Sequence, residues 1–337
     1  MSSDAPTRRP TIKDVARLAG VSHQTVSRYL RSDTSINDAM RESIRQAIAQ
    51  LGYRPNLAAR AMRNRKTGRL ALLMPSGTAV SSLEMLAGAT ADAREAGYSV
   101  EVVILGDPVE ARAQRVMELS DYGVFEGMLS LTPLPSLPQR AVSGSTVIAV
   151  SADYDDQMRS IGALADATST SEIIERLASQ GHRRFLHMAG DYAHTAAGAR
   201  RQVYLDTLRR LGLESHGVVD CEWLPARARE AIRNLPEDSG VTAVIAANDL
   251  LAAATVRGAL DRGWSVPRDL SVTGWDNNPV GAEMVPSLTT VAVDYEHLGR
   301  RAVRRLLAVM AGEPAPEEDG LLTRIIWRES TAPPGRS

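Results

Sequence analysis

Cysteine is almost absent from these 337 residues. With Cys221 the only thiol, an intrachain disulfide is excluded and a cysteine-built zinc site has too few ligands. Lysine is scarce as well. Lys13 and Lys66 are the only two, so the rest of the chain has neither a Gly-Lys-Ser/Thr phosphate loop nor an amine for a Schiff base. Gly-x-Ser-x-Gly and a clean Gly-x-Gly-x-x-Gly are also missing, which removes the commonest enzyme signatures and sets the expectation that the chain is not an enzyme. No apolar run approaches the roughly 18–20 residues of a membrane span. The first ten residues are polar, with no apolar stretch behind Arg8 and Arg9, so a cytoplasmic protein without cofactor or metal is expected.

What is present is uneven. Residues 1–66 carry 13 Lys and Arg against 5 Asp and Glu, and residues 67–337 carry 26 against 35, so a net charge of -1 conceals a basic head and an acidic body. The head is either a solvated basic surface or the partner of a polyanion, whose counterions it would release on binding.

Within the head, Ile12, Val15, Ala16, Leu18 and Ala19 make one helical face, and Gly20 stops it. Ser22 caps a second helix whose inner residues are Val26, Tyr29 and Leu30. Two short helices meeting at a glycine turn have the spacing of a helix-turn-helix. Ile36, Met40, Ile44, Ile48 and Leu51, behind an Asn37 cap, form a third helix. The second helix leaves His23, Gln24, Ser27 and Arg28 facing outward. Gln pairs bidentately with adenine and Arg with guanine, so this face suits a DNA major groove. Beyond Tyr53, Pro55 and Asn56 open a segment of barely two turns, which is marginal in isolation and could reach a minor groove.

These stretches, Thr11-Ile12-Lys13-Asp14-Val15-Ala16, Ala19-Gly20-Val21-Ser22, Thr25-Val26-Ser27-Arg28 and Tyr53-Arg54-Pro55-Asn56, resemble the DNA-binding head of the lactose-repressor (LacI/GalR) family. The resemblance implies that His23, Gln24 and Arg28 read operator bases, with Thr11, Ser22 and Thr25 near phosphates. It also implies a hinge helix and linker over 55–68, the short helix at 56–62 carrying Asn56, Ala59 and, at the wedge position where the family usually has Leu, Met62.

The body alternates β-prone runs (70–74, 100–105, 127–131, 146–150, 185–189, 218–221, 241–246 and 270–274) with amphipathic stretches (83–96, 109–119, 170–179, 199–211, 226–234 and 249–262). This pattern predicts an α/β body of two doubly wound parallel lobes that binds ligand outside the strand carboxyl ends. Polar groups follow those strands: Asn248-Asp249, Trp275-Asp276, Trp223, and Arg200 at the start of a helix after the 190–198 loop. Together they suit a polyhydroxylated ring, although Asp249 alternatively caps a helix, Trp275 fills the core and Trp223 covers a lobe edge.

The family resemblance continues through Gly181-His182-Arg183-Arg184, Ala246-Ala247-Asn248-Asp249, Gly274-Trp275-Asp276 and Pro286-Ser287-Leu288-Thr289-Thr290. It implies a body similar to periplasmic sugar-binding proteins, with Arg200, Asn248 and Asp276 at the effector and Trp223 stacked on a ring; Trp275, beside Asp276, joins the candidate effector residues on its strand-end position. The expected organisation is a helix-turn-helix head over 1–54, a hinge and linker over 55–68, an effector-binding and dimerisation domain over 69–330 and a short tail over 331–337. The expected function is a homodimeric repressor that reads a pseudo-palindromic operator in double-stranded DNA and answers to a small molecule, a sugar. The competing reading is a sugar-processing enzyme with a fused DNA-binding head, using Asp276 with Asp249 or Asp153 as its carboxylate pair.

The charge division generates a test. If the basic heads contact about six to ten phosphates, gel-shift titrations between about 50 and 200 mM salt should show specific affinity falling roughly 10³- to 10⁵-fold. A flat salt dependence would rule the DNA role out.

Overall fold

The computed structural model describes residues 10–30, 35–53, 67–75, 80–106, 109–130, 147–150, 166–192, 194–314, 316 and 322–335. It divides into two compact units at Thr67/Gly68.

The first unit contains α1 (Ile12–Ala19), α2 (His23–Tyr29) and α3 (Asp38–Leu51). Asp14 accepts from the Thr11 amide at 2.9 Å and its hydroxyl at 2.7 Å, closing the first turn of α1. Gly20 ends that helix at φ 67°, where the absence of Cβ avoids the usual penalty. The Ser22 hydroxyl accepts from the Thr25 amide, and Asn37 caps α3 through the Met40 amide at 2.8 Å, both as the sequence predicts. Val15, Val26 and Ile44 have no exposure and form the centre of this small core. Leu18 departs from expectation, being 45% exposed on the outer side of α1.

The second unit has two parallel four-stranded sheets. In the first lobe, β1 (Arg69–Pro75), β2 (Ser99–Leu105), β3 (Gly127–Ser130) and β4 (Val147–Val150) lie in the order β2-β1-β3-β4, with α4 (Val80–Glu95) and α5 (Val109–Asp121) between strands. The second lobe has β5 (Arg184–Ala189), β6 (Glu214–Asp220), β7 (Ala243–Ala246) and β8 (Ser271–Thr273) in the order β6-β5-β7-β8. Its helices are α6 (Thr168–Ser179), α7 (Thr195–Leu211), α8 (Pro225–Arg233), α9 (Asp249–Asp261) and the short α10 (Pro279–Ala282). Leu70, Ala71, Leu72 and Leu73 are wholly buried, as a parallel strand covered on both faces requires.

Several boundaries differ from the sequence reading, three of them with consequences. Helix α7 begins at Thr195, so Arg200 lies in its second turn and Gly198 is helical. Strand β6 begins at Glu214 and stops before Cys221. Residues 331–335 are no tail: the Ala332 carbonyl lies 2.8 Å from Nε2 of the buried His182, and the Gly335 amide donates to the Arg268 carbonyl.

The connectivity adds a feature that the sequence pattern left unassigned. Between β9 (Thr290–Val293) and β10 (Thr323–Ile326), which pair antiparallel, the 17-residue α11 (Tyr295–Ala311) packs on α4, β3 and β4 of the first lobe. The first lobe is therefore discontinuous in sequence. Two glycines permit the α4–α11 crossing. A Cβ on Gly88 would lie 1.9 Å from the Glu296 carbonyl oxygen, and one on Gly299 would lie 2.0 Å from that of Met85. Beside the crossing, buried Asp92 accepts from Arg300 at 2.7 Å and Arg304 at 2.5 Å.

Both clashes are with backbone, which cannot swing aside. Gly88→Ala should therefore destabilise the body by ~1–3 kcal/mol in urea unfolding, an overpacking cost. An unchanged midpoint would show that the helices can separate freely.

Candidate functional site

On α2, His23, Gln24 and Arg28 are exposed while Val26 is buried, so the face expected to read bases is presented outward. Arg28 reaches Ser35 through Nη2, and Ser27 is partly buried. Ser22 and Thr25 join hydroxyls at 2.9 Å, and the Thr11 hydroxyl is engaged by Asp14, so these three residues shape the helix starts. Asn56, Ala59 and Met62 lie outside the described residues.

In the second lobe, strand order aligns the polar strand ends. Strand β5 leads into α7, β6 into the Trp223 turn, β7 into Asn248 and β8 into Trp275-Asp276. The order reverses between β5 and β7, which makes their carboxyl ends a switch point and opens a crevice there. Arg200, only 7% exposed, spans it. Its Nη1 donates to the Ala247 carbonyl at 2.7 Å, and the guanidinium lies 4.2 Å from the centroid of the Trp275 ring. Burial lowers the Arg200 pKa, opposed by the nearby Asp276 charge.

Asp276 has φ 100°, a conformation that L residues rarely adopt. Its amide donates to the Val291 carbonyl at 2.8 Å, and its Oδ1 accepts from the Tyr295 hydroxyl at 2.7 Å. Burial raises the Asp276 pKa, against the pull of Arg200 and of the Tyr295 hydrogen bond. Tyr295 was not singled out by sequence reasoning. As the first residue of a helix from the other lobe, it carries no local signal of a partner at Asp276.

The remaining residues divide. Trp223, at φ 60°, lays its indole over Gly190, where an added Cβ would lie 2.1 Å from the ring, and His194 meets that ring edge-on at 6.0 Å. Trp275 is 3% exposed and belongs to the core while forming the floor under Arg200; its Nε1 has no partner among the described residues. Asn248 caps α9, its Oδ1 accepting from the Leu251 amide at 2.9 Å, and keeps an amide nitrogen for other use. Asp249 is 5% exposed and structural: it accepts from the Thr290 hydroxyl and the Asn278 amide, each at 2.6 Å. That engagement weakens its claim as half of a catalytic pair, and Asp153 lies outside the described residues. No group of three His, Cys, Asp or Glu suited to a metal occurs among the described residues, and no helix there is long and apolar enough to cross a membrane.

Desolvation pushes the Asp249 carboxyl up to about 7. A carboxyl raised on folding contributes its stability below the unfolded value and loses it as pH rises through the folded one. Between about pH 4 and 7, Asp249→Asn should therefore gain on the wild type in urea unfolding by at most about 1.4 kcal/mol per pH unit. A pH-independent gap would show that the carboxylate is as well solvated as in the unfolded chain.

Two family models match the chain. Residues 11–56 match the bacterial regulatory proteins of the lacI family, and residues 174–331 match a periplasmic binding protein-like domain. The HTH-type transcriptional regulator CelR of Thermobifida fusca is 31% identical over 96% of this chain and 98% of its own. The lactose operon repressor of Escherichia coli (strain K12) is 29% identical over 96% and 91%. Among solved structures, the lac repressor dimer bound to operator and the anti-inducer ONPF superposes with a TM-score of 0.82 at 25% identity, covering 96% of this chain and 99% of that one. A CelR–cellobiose complex gives 0.65 at 28% identity, covering 96% and 100%. With its outward-facing recognition helix joined in one chain to a two-lobed body, this protein belongs to the LacI family of DNA-binding transcriptional regulators.

Proposed function

We propose that this regulator is a cytoplasmic repressor that binds a pseudo-palindromic operator as a homodimer, its operator affinity set by a sugar held at the strand ends of the second lobe. The observation that carries the reading is the convergence of Arg200, Asn248 and Asp276 on one switch point, with Trp223 at its side. A guanidinium, an amide and a carboxylate match the alternating donors and acceptors of a polyol, and an indole face matches the C–H face of its ring. The relatives support the class of ligand: CelR was solved with cellobiose, the lac repressor with ONPG, and ribose operon repressors are 28% identical to this chain.

His23, Gln24 and Arg28 would read base edges, with Thr11, Ser22, Thr25 and Ser27 set against the backbone and Asn56, Ala59 and Met62 entering the minor groove. Exposed Leu224, Leu250, Val280 and Val285 on the second lobe are apolar surface that a second copy would cover, and a two-fold dimer maps onto a two-fold operator. The relatives named above are regulators, and the engagement of Asp249 with Thr290 and Asn278 favours binding over hydrolysis, so we assign no enzymatic step.

Reading and sensing should separate by mutation. On a duplex enriched by the wild-type protein from a random pool, Gln24→Ala should lose ~1–3 kcal/mol for each bidentate pair removed, with sugar binding intact. Arg200→Ala should keep duplex binding and lose the melting shift that a bound sugar produces, which corresponds to ~2.7 kcal/mol at 100-fold over Kd. The panel is glucose, galactose, ribose, lactose and cellobiose. Equal sugar shifts in Arg200→Ala and wild type would place the effector elsewhere.

A further inference from the structure

One hydrogen bond between the two lobes is not used by the effector reading. Asp276 sits at the end of β8 in the second lobe, whereas Tyr295 opens α11, which packs on the first. The Tyr295 hydroxyl, on a side chain 5% exposed, donates to Asp276 Oδ1 at 2.7 Å. We propose that Tyr295 is a positioning residue for effector response: its hydroxyl holds Asp276, and competition for that carboxylate passes occupancy of the second lobe to the first. This rests on the effector reading above and names the route by which the site is regulated.

Each side of the bond is prepared for that role. On the Asp276 side the loop is strained and clamped, with φ 100° at Asp276 and 52° at Asn277. The Asn277 amide donates to the Thr290 hydroxyl at 3.3 Å, and Arg328 Nη2 donates to the Asn277 side-chain Oδ1 at 2.8 Å. So constrained, the loop has few ways to absorb an incoming hydroxyl without altering the Tyr295 bond. On the Tyr295 side, α11 cannot yield alone. The backbone contacts at Gly88 and Gly299, with Asp92 gripping Arg300 and Arg304, bind it to α4 as one body. A displacement at the first residue of α11 therefore moves two helices of the first lobe together.

The energetic requirement is differential. A ligand shifts an equilibrium only as far as its affinities for the two states differ. A sugar hydroxyl that donates to Asp276 supplies such a difference, because the carboxylate then has a substitute for the Tyr295 donor. Glu84, on α4, raises the cost of burying more negative charge nearby: its charge acts on both Asp276 and Tyr295.

Tyr295→Phe preserves the ring and deletes the donor. Anisotropy titrations on the wild-type-enriched duplex would be run with and without glucose, galactose, ribose, lactose and cellobiose, alongside melting curves with the same sugars. The expected result is that Tyr295→Phe keeps the melting shift of the active sugar while the sugar-induced change in duplex affinity shrinks at least about fivefold. A full response in Tyr295→Phe, or loss of the melting shift together with the response, overturns the proposal. A second measurement needs no variant. Hydrogen exchange on the wild type should change at 276–278 and at 295–300 together when the active sugar is added, and a change confined to 276–278 also overturns it. If wild type ignores all five sugars in both assays, the sugar reading fails and takes this proposal with it; a wild type that responds isolates the Tyr295 claim.

Discussion

The buried guanidinium of Arg200 organises the second lobe. It bridges the gap left where β5 and β7 send their chains to opposite sides of the sheet, tying α7 to the end of β7 through the Ala247 carbonyl and stacking on Trp275. A charge this deep is costly unless it is paired and hydrogen-bonded. Asp276 provides the compensating charge, and its own burial raises its pKa against the pull of Arg200. Each charge favours the ionised form of the other while burial opposes both, and the strained backbone at Asp276 persists because its surroundings overdetermine it.

From this pair the constraints spread outward. Tyr295 joins Asp276 to the first residue of α11, and α11 meets α4 so closely at Gly88 and Gly299 that side chains have no room between them. Asp249, two elements away, ties α9 to the loop before α10 and to β9 through carboxylate oxygens that accept from Asn278 and Thr290. The polar groups that stand at the strand ends are also those that join secondary-structure elements. Under the proposed effector reading, occupancy of such a site would change the connections as well as fill a space, which would let an affinity at one end of the chain answer to a ligand at the other.

The head obeys simpler rules. Three helices around Val15, Val26 and Ile44 bury little surface, so caps at Thr11, Ser22 and Asn37 and the left-handed Gly20 carry much of the specification. Short elements with local caps leave the outward face of α2 free to vary. His23 and Gln24, exposed on that face, can therefore vary with little cost to the fold beneath them.

Much of this was legible in the residues. Helix periodicity, glycine stops and cap residues placed α1, α2 and α3, and apolar β-prone runs placed the eight strands of the two sheets, because these signals act over fewer than a dozen neighbours. The strand-end polar residues were visible for the same reason. Boundaries shifted where no local breaker stands: α7 starts at Thr195 because Gly198 is accommodated within a helix whose packing outweighs its propensity. Other features were decided only in three dimensions. The return of α11 to the first lobe, the Tyr295–Asp276 bond, the incorporation of residues 331–335 beside His182 and the internal engagement of Asp249 each join residues far apart in sequence. Local pattern states which face of an element is apolar, but the partner that covers it is chosen by the packing of the whole chain.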